Sequence, residues 1–394
     1  VPELERVLED PATSIDAKKL VLRVASDIGT PKTVETLFTS ALGPNLVLRF
    51  IAIKALNRLR KHDGLLFSRH MAVSLLEQEL RALQVELERA EFIAPRTGSL
   101  MDSLLNQRQF WALQRIFRVL GLLYDPKAIY NAYLAVTSND HRRADAALEF
   151  LDATLSPEHR KPLLHLLETQ QLQHRVYDRY ARKSMLFSYL GARDDLPASA
   201  MIADLTDEEF DLWKDEIRQG LQTFPNLPMV EETFRWRCGK MQPVDNVKRK
   251  LTTIEKLESL NRIDIFSRLG PQELLLIANQ CDVVEFSAGE SIYSEGQSAH
   301  EIYALISGKV DLFRGSSLVA KINQGESFGT LSVLSSQPRL LSARALENSV
   351  CLKIDAENFW DVLEDYPAII QQVLKLLTQQ LRIVAEPAQP LKVR

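Results

Sequence analysis

Few residues in this sequence have types and spacing that could do chemistry. His62-Asp63 with nearby His70 are of metal-ligating type, but no other ligand type gathers around them in sequence, so they read as polar residues at a helix end. Cys238, Cys281 and Cys351 are far apart and odd in number, which points to a reducing compartment and to neither a disulfide framework nor a metal site. His300 precedes a strand-like run and reads as a turn residue. Trp111, Trp213, Trp236 and Trp360 are scattered, as core or domain-contact residues are, and do not form a platform for stacking bases. There is no Gly-rich phosphate loop, nucleophile elbow, His-Glu-x-x-His or paired-Cys spacing, so the chain reads as non-enzymatic.

The richest stretch is 328–345, Phe-Gly-Thr-Leu-Ser-Val-Leu-Ser-Ser-Gln-Pro-Arg-Leu-Leu-Ser-Ala-Arg-Ala. It resembles the phosphate-binding cassette of cyclic-nucleotide-binding domains, which reads Phe-Gly-Glu-Leu-Ala-Leu, a short spacer, then Pro-Arg-Thr-Ala. Phe328-Gly329 opens the frame and Pro338-Arg339 closes it at the family's spacing. The resemblance implies a ligand-binding set of Phe328, Gly329, Thr330, Leu331, Arg339, Leu340, Leu341 and Ser342. It implies that Arg339 and the backbone N–H groups at a helix start hold a compact phosphate, with Gly329 letting the backbone come close. The departures are specific. The family's ribose-binding glutamate is Thr330, shorter and uncharged, and Leu340 and Leu341 replace a small polar residue and Ala. The cassette is therefore expected to be degenerate, with cyclic AMP or another phosphate-containing anion as its ligand class and cyclic GMP disfavoured. The other reading of Arg339 is structural: in a non-binding barrel it pairs with an acidic side chain or braces the cassette helix.

The resemblance spans about 263–385. Phe266-Ser267-Arg268-Leu269 with Leu274-Leu275 is similar to the family's lead-in helix, Gly289–Gly296 to its strand and turn, and Tyr303–Val310 to the next hairpin, with Gly308 at the tight turn. Gly325-Glu326 leads into the cassette. Read without the family, β-rich runs at 282–287, 301–307, 309–314, 318–322 and 341–354, punctuated by glycine, predict a small β-barrel or jelly roll. A helical pattern returns through Phe359 and Leu363, and a C-terminal helix over 368–384 is the element a bound ligand would move.

The first half is helical and repeats one apolar template, at i, i+3, i+4, i+7 and i+11. Its copies start at Ala17, Leu48, Leu113 and Ala144, which are 31, 65 and 31 residues apart. Each copy predicts one buried stripe, the first being Ala17, Leu20, Val21, Val24 and Ile28. Pro31, Pro126 and Pro157 follow three of the copies, where proline restarts a partner helix. Paired helices at this period read as an α-solenoid with HEAT repeats as the nearest family, or as a plain α bundle. Gly121–Pro126, Arg143–Asp152 and Leu251–Lys256 resemble the HEAT region behind bacterial nucleotide-translocase transporters of the ATP:ADP antiporter type. That likeness implies a soluble cytoplasmic part of a larger protein, tethered to the inner membrane through a segment upstream of Val1. The solenoid would then dock a protein partner or the parent transporter.

The resulting division is 1–220 helical, 221–262 connector, 263–385 cyclic-nucleotide-binding-like and 386–394 tail. At 394 residues and 45% apolar, the chain can bury more than one core. A net charge of −4 gives no pull toward nucleic acid, and the short basic clusters Arg58–Lys61 and Lys248–Lys250 read as solvated faces. No run reaches the about 18 apolar residues of a membrane helix, and the absence of an initiator Met reads as a fragment or processed product.

Overall fold

The computed structural model describes residues 2–10, 12–60, 68–138, 140–172, 176–240, 251–266 and 269–365, together with 370, 374 and 378. His62-Asp63, Ser267-Arg268, Lys248–Lys250 and, but for those last three residues, the expected helix over 368–384 lie outside the described residues. Among the described residues no helix is long and apolar enough to cross a membrane, and no group of three or more His, Cys, Asp or Glu is placed to hold a metal ion.

The chain is helix-rich up to Lys240 and then turns to antiparallel sheet. The first nine helices are α1 (Pro2–Glu9), α2 (Ile15–Ile28), α3 (Pro31–Leu42), α4 (Leu46–Leu59), α5 (Arg69–Ile93), α6 (Leu100–Leu123), α7 (Pro126–Val136), α8 (His141–Thr154) and α9 (Pro157–Leu172). Four more follow: α10 (Arg179–Gly191), α11 (Asp195–Asp204), α12 (Asp207–Thr223) and α13 (Pro228–Lys240). Their starts are written locally. Thr30 and Thr33 form a capping box with Pro31 in the first turn of α3, and Asp125 accepts the Ala128 N–H at 2.7 Å just ahead of Pro126. The expected proline restarts are observed at α3, α7 and α9.

By contact the chain divides into two compact units, Val1–Ala94 with Leu105–Asp178, and Pro95–Leu104 with Arg179 onward. The first unit has one apolar core drawn from α2 to α9, including Leu37, Phe38, Leu56, Leu75, Ile116 and Leu151. Three of the four repeated stripes lie in that core, but the first does not. Leu20, Val24 and Ile28 are 60%, 39% and 46% exposed. The face that α2 turns inward is Leu22, Ala25 and Ser26. Its small residues let α2 approach α4, where the Ser26 hydroxyl reaches the Ala55 carbonyl at 3.5 Å. A helix apolar on two sides satisfies the template on either, and close packing decided for the small-residue side.

One buried charge group ties this unit together. Glu79 of α5, fully buried, accepts Arg49 Nη2 of α4 at 2.5 Å and Arg115 Nε of α6 at 2.8 Å. Its removal would strand two guanidinium groups in the core.

In the second unit Arg182 plays the matching part. It donates to Glu209 at 2.9 Å and reaches Asp204 at 3.3 Å, joining α10 to α11 and α12. Helix α14 (Thr253–Leu260) packs on α11 and α13 and on α15 (Pro271–Gln280), with Ile254, Leu257 and Leu260 buried. Lys256 Nζ of α14 caps the end of α15 through the carbonyls of Ala278 and Cys281, at 3.2 and 2.7 Å.

Among the described residues the sheet region has eight strands: β1 (Asp282–Phe286), β2 (Ser291–Tyr293), β3 (Glu301–Ser307), β4 (Val310–Arg314), β5 (Ser317–Ile322), β6 (Ser327–Phe328), β7 (Ser342–Ala345) and β8 (Ser349–Asp355). Two short helices, α16 (Thr330–Leu334) and α17 (Ala356–Asp365), complete it. The strands form two four-stranded sheets, β1-β8-β3-β6 and β2-β7-β4-β5. This is a jelly-roll sandwich and not a closed barrel. The run 341–354, read as one strand, is two strands in different sheets, β7 and β8. Gly308 turns at φ +94°, and a Cβ there would collide with Ser349.

Replacing Glu79 by Ala is expected to destabilise the helical unit by about 3–5 kcal/mol, because both arginines stay buried without their counter-charge. Denaturant unfolding followed by circular dichroism measures it, and a loss below about 1 kcal/mol would contradict the buried-pair geometry.

Candidate functional site

Strand β6 ends in Phe328, and Gly329 at φ +81° turns the chain into α16. Arg339 lies after α16 and before β7. Its backbone is fixed first: the Arg339 N–H donates to Gln297 O at 2.7 Å, and the Gly296 N–H donates to Arg339 O at 2.8 Å. This pair of bonds pins the closing residue of the cassette to the β2–β3 turn and directs its side chain inward.

The Arg339 guanidinium is buried, at 2% exposure, and committed. Nη1 donates to the Gly329 carbonyl at 2.9 Å, and Nη2 donates to the Glu301 carbonyl at 2.6 Å with the Glu301 carboxylate 3.4 Å away. Its carbon stands 4.2 Å from the centre of the Tyr293 ring, a cation–π contact in a dry setting. A Cβ on Gly329 would lie 2.5 Å from Nη1, so glycine is required there to admit the arginine.

Behind Arg339 the sandwich is filled by aromatic rings. Phe328 stacks on Tyr303 with centroids 5.3 Å apart and planes 17° apart, and lies 6.2 Å from Tyr293. Burial pushes the Tyr293 phenol up to about 12, with Arg339 drawing it partly back. Burial also pushes the Cys351 thiol to about 12 and Cys281 to about 11, so neither is a thiolate at neutral pH.

The remaining cassette residues diverge. Thr330 is buried in the first turn of α16, and its hydroxyl has no partner among the described residues. Arg339 Nε is likewise buried and unpartnered. Leu331 is 37% and Leu340 48% exposed, whereas Leu341 packs into the sandwich core. Ser342 Oγ accepts the Glu295 N–H at 2.9 Å, so it braces the turn after β2. Phe328, Gly329, Thr330 and Arg339 are thus brought together, and Leu331 and Leu340 face away. Glu301, Tyr293 and Tyr303 lie outside the set of residues expected at the site, although Tyr293 and Tyr303 belong to the strand motifs. The available signal was in β3, where Glu301 and Tyr303 are two apart and share a face.

Gly329→Ala is expected to cost about 1–3 kcal/mol of stability in the sandwich unit, since it strains a positive φ and strikes the guanidinium. Thermal unfolding monitored through the near-ultraviolet aromatic signal measures this. An unchanged midpoint would mean that Arg339 does not occupy the place against Gly329.

Comparison with known proteins agrees with the fold of this region. Residues 283–366 match the cyclic nucleotide-binding domain family. The CRP-like cAMP-activated global transcriptional regulator of Mycobacterium tuberculosis is 28% identical over 130 residues, 32% of this chain and 58% of that protein. Mouse (Mus musculus) cGMP-dependent protein kinase 2 is 26% identical over 119 residues, 30% of this chain and 15% of the kinase. The catabolite activator protein of Thermus thermophilus, a solved structure, is 29% identical, with a TM-score of 0.29 over 30% of this chain and 58% of that one. The chain thus spans little more than half of the regulator and a small part of the kinase. Its sandwich is a domain of the cyclic nucleotide-binding type.

Proposed function

We propose that the chain is a non-enzymatic regulatory and interaction module whose cyclic nucleotide-binding fold carries a degenerate pocket. One observation supports this above all: the guanidinium that would hold a phosphate is turned onto two backbone carbonyls, a carboxylate and a tyrosine ring. A phosphate reaching Arg339 must displace those partners. Charge-assisted hydrogen bonds are worth about 1.5–3 kcal/mol each, so the displacement costs roughly one to two decades of affinity per bond lost. Thr330 in place of a carboxylate removes another such bond to the ribose. The helical region, with its paired helices restarted at Pro31, Pro126 and Pro157, acts in this reading as a HEAT-like docking scaffold. Its place in the cell follows the transporter resemblance: the cytoplasmic side of the inner membrane, as part of a larger transporter or bound to one.

A second reading, a working cyclic-AMP sensor, has one observation in its favour. Thr330 Oγ1 and Arg339 Nε are both buried without partners, and both belong to the cassette. A sugar hydroxyl and a phosphate oxygen would satisfy them.

Titration calorimetry of the chain with cyclic AMP separates the two. The degenerate pocket predicts no heat of binding, or a Kd above about 100 μM. Submicromolar binding that disappears in Arg339→Ala, in a variant shown to stay folded, would overturn it and establish the sensor.

A further inference from the structure

Outside the cassette, one surface of the helical unit carries charge that nothing described neutralises. Helix α4 bears Arg49, Lys54 and Arg58 and no Asp or Glu. Helix α6 from Leu105 onward bears Arg108, Arg115 and Arg118 and no Asp or Glu, and α7 has only Lys127. Arg49 and Arg115 go inward to Glu79. Lys54 and Arg58 stand exposed, and Arg118 is half-buried.

Phe50, Lys54 and Arg58 recur at i, i+4 and i+8 and so form one stripe on α4. The Arg118 guanidinium lies over the Phe50 ring at 5.4 Å, at the head of that stripe. Asn57 Nδ2 fixes the register of α4 on α6 by donating to the Arg118 carbonyl at 3.0 Å. On α7, Tyr130 stacks on Tyr133 at 6.4 Å and is 58% exposed. The Arg118 Nε has no partner, and among the described residues no carboxylate pairs with Lys54, Arg58 or Arg118.

We infer that this face of α4, α6 and α7 binds an acidic segment of a protein partner, with Lys54, Arg58 and Arg118 meeting its carboxylates and Tyr130 an apolar residue between them. The inference deepens the docking role proposed for the helical region and rests on it. The cations oppose one another in the free chain: burial, then Arg118, Arg58 and Arg23 on α2, lower the Lys54 pKa, and no acidic group raises it. A carboxylate-bearing segment relieves that opposition. A short segment senses only charges within a Debye length of about 8–10 Å. A long polyanion such as nucleic acid also meets the chain's net charge of −4. Of the rings beside these cations, Phe50 is covered by Arg118 and Tyr133 is buried, so neither is open to a base.

The test is fluorescence anisotropy of the full chain with a labelled dodecapeptide of Glu-Glu-Phe repeats, at low salt. Wild-type binding is expected, weakening as salt rises. Lys54→Glu/Arg58→Glu, both exposed positions, should reduce affinity about tenfold or more without lowering the thermal midpoint. Arg142→Glu/Arg143→Glu on α8 should change it less than about twofold. Equal loss in both variants, or none in the first, would remove this face and leave the docking role standing. No binding by the wild type would overturn the acidic partner class. Tighter binding of a labelled oligothymidylate, lost in Lys54→Glu/Arg58→Glu, would assign the face to nucleic acid and overturn the inference as well.

Discussion

The sandwich depends on where one guanidinium goes. Arg339 is buried, and a buried cation must find its hydrogen bonds inside the fold. It finds them at the carbonyls of Gly329 and Glu301, with Tyr293 beneath it. From that follow the glycine at 329, which leaves room for Nη1, and the stacked Phe328, Tyr303 and Tyr293 that fill the space behind. It also follows that residue 339 is tied by backbone bonds to the turn at 296–297. The residues that resemble an anion site in sequence also hold this arginine in a dry setting, with its Nη atoms bonded and its Nε left without a partner.

The same economy recurs in the helices. Glu79 holds two arginines in the first unit, and Arg182 holds two carboxylates in the second. Each joins three helices through one buried residue. Buried charges of this kind fix which helices may neighbour one another, since any other arrangement leaves one unpaired. Where the pattern is not closed, Lys54 and Arg58 are exposed and Arg118 lies half-buried over the Phe50 ring.

Much of this was legible in sequence. The cassette frame located α16 and the residues around it, glycines marked the turns at 308 and 329, and prolines marked three helix starts. These are local signals, set by one or two dihedral angles. What sequence could not show was set by direction. The first helical stripe satisfies the apolar template but faces outward, because Ala25 and Ser26 pack closer to α4 than Leu20 or Val24 could. Leu340 and Leu341, just ahead of β7, are both apolar, yet one is exposed and the other packs against the core. One run of strand-forming residues, 341–354, became two strands in opposite sheets. Beside the Gly329 carbonyl, the partners of Arg339 come from β2 and β3, some 40 residues upstream, and no spacing within the cassette points to those.

The most direct measurement is on the Arg339 side chain itself. Nitrogen-15 spectra of the chain, assigned through an Arg339→Lys variant, report whether the guanidinium is held. Two fixed carbonyl acceptors predict separate Nη resonances with slow hydrogen exchange, unmoved by saturating cyclic AMP. A single averaged Nη signal that splits and shifts when cyclic AMP is added would contradict it, and would mean that the arginine waits for a phosphate.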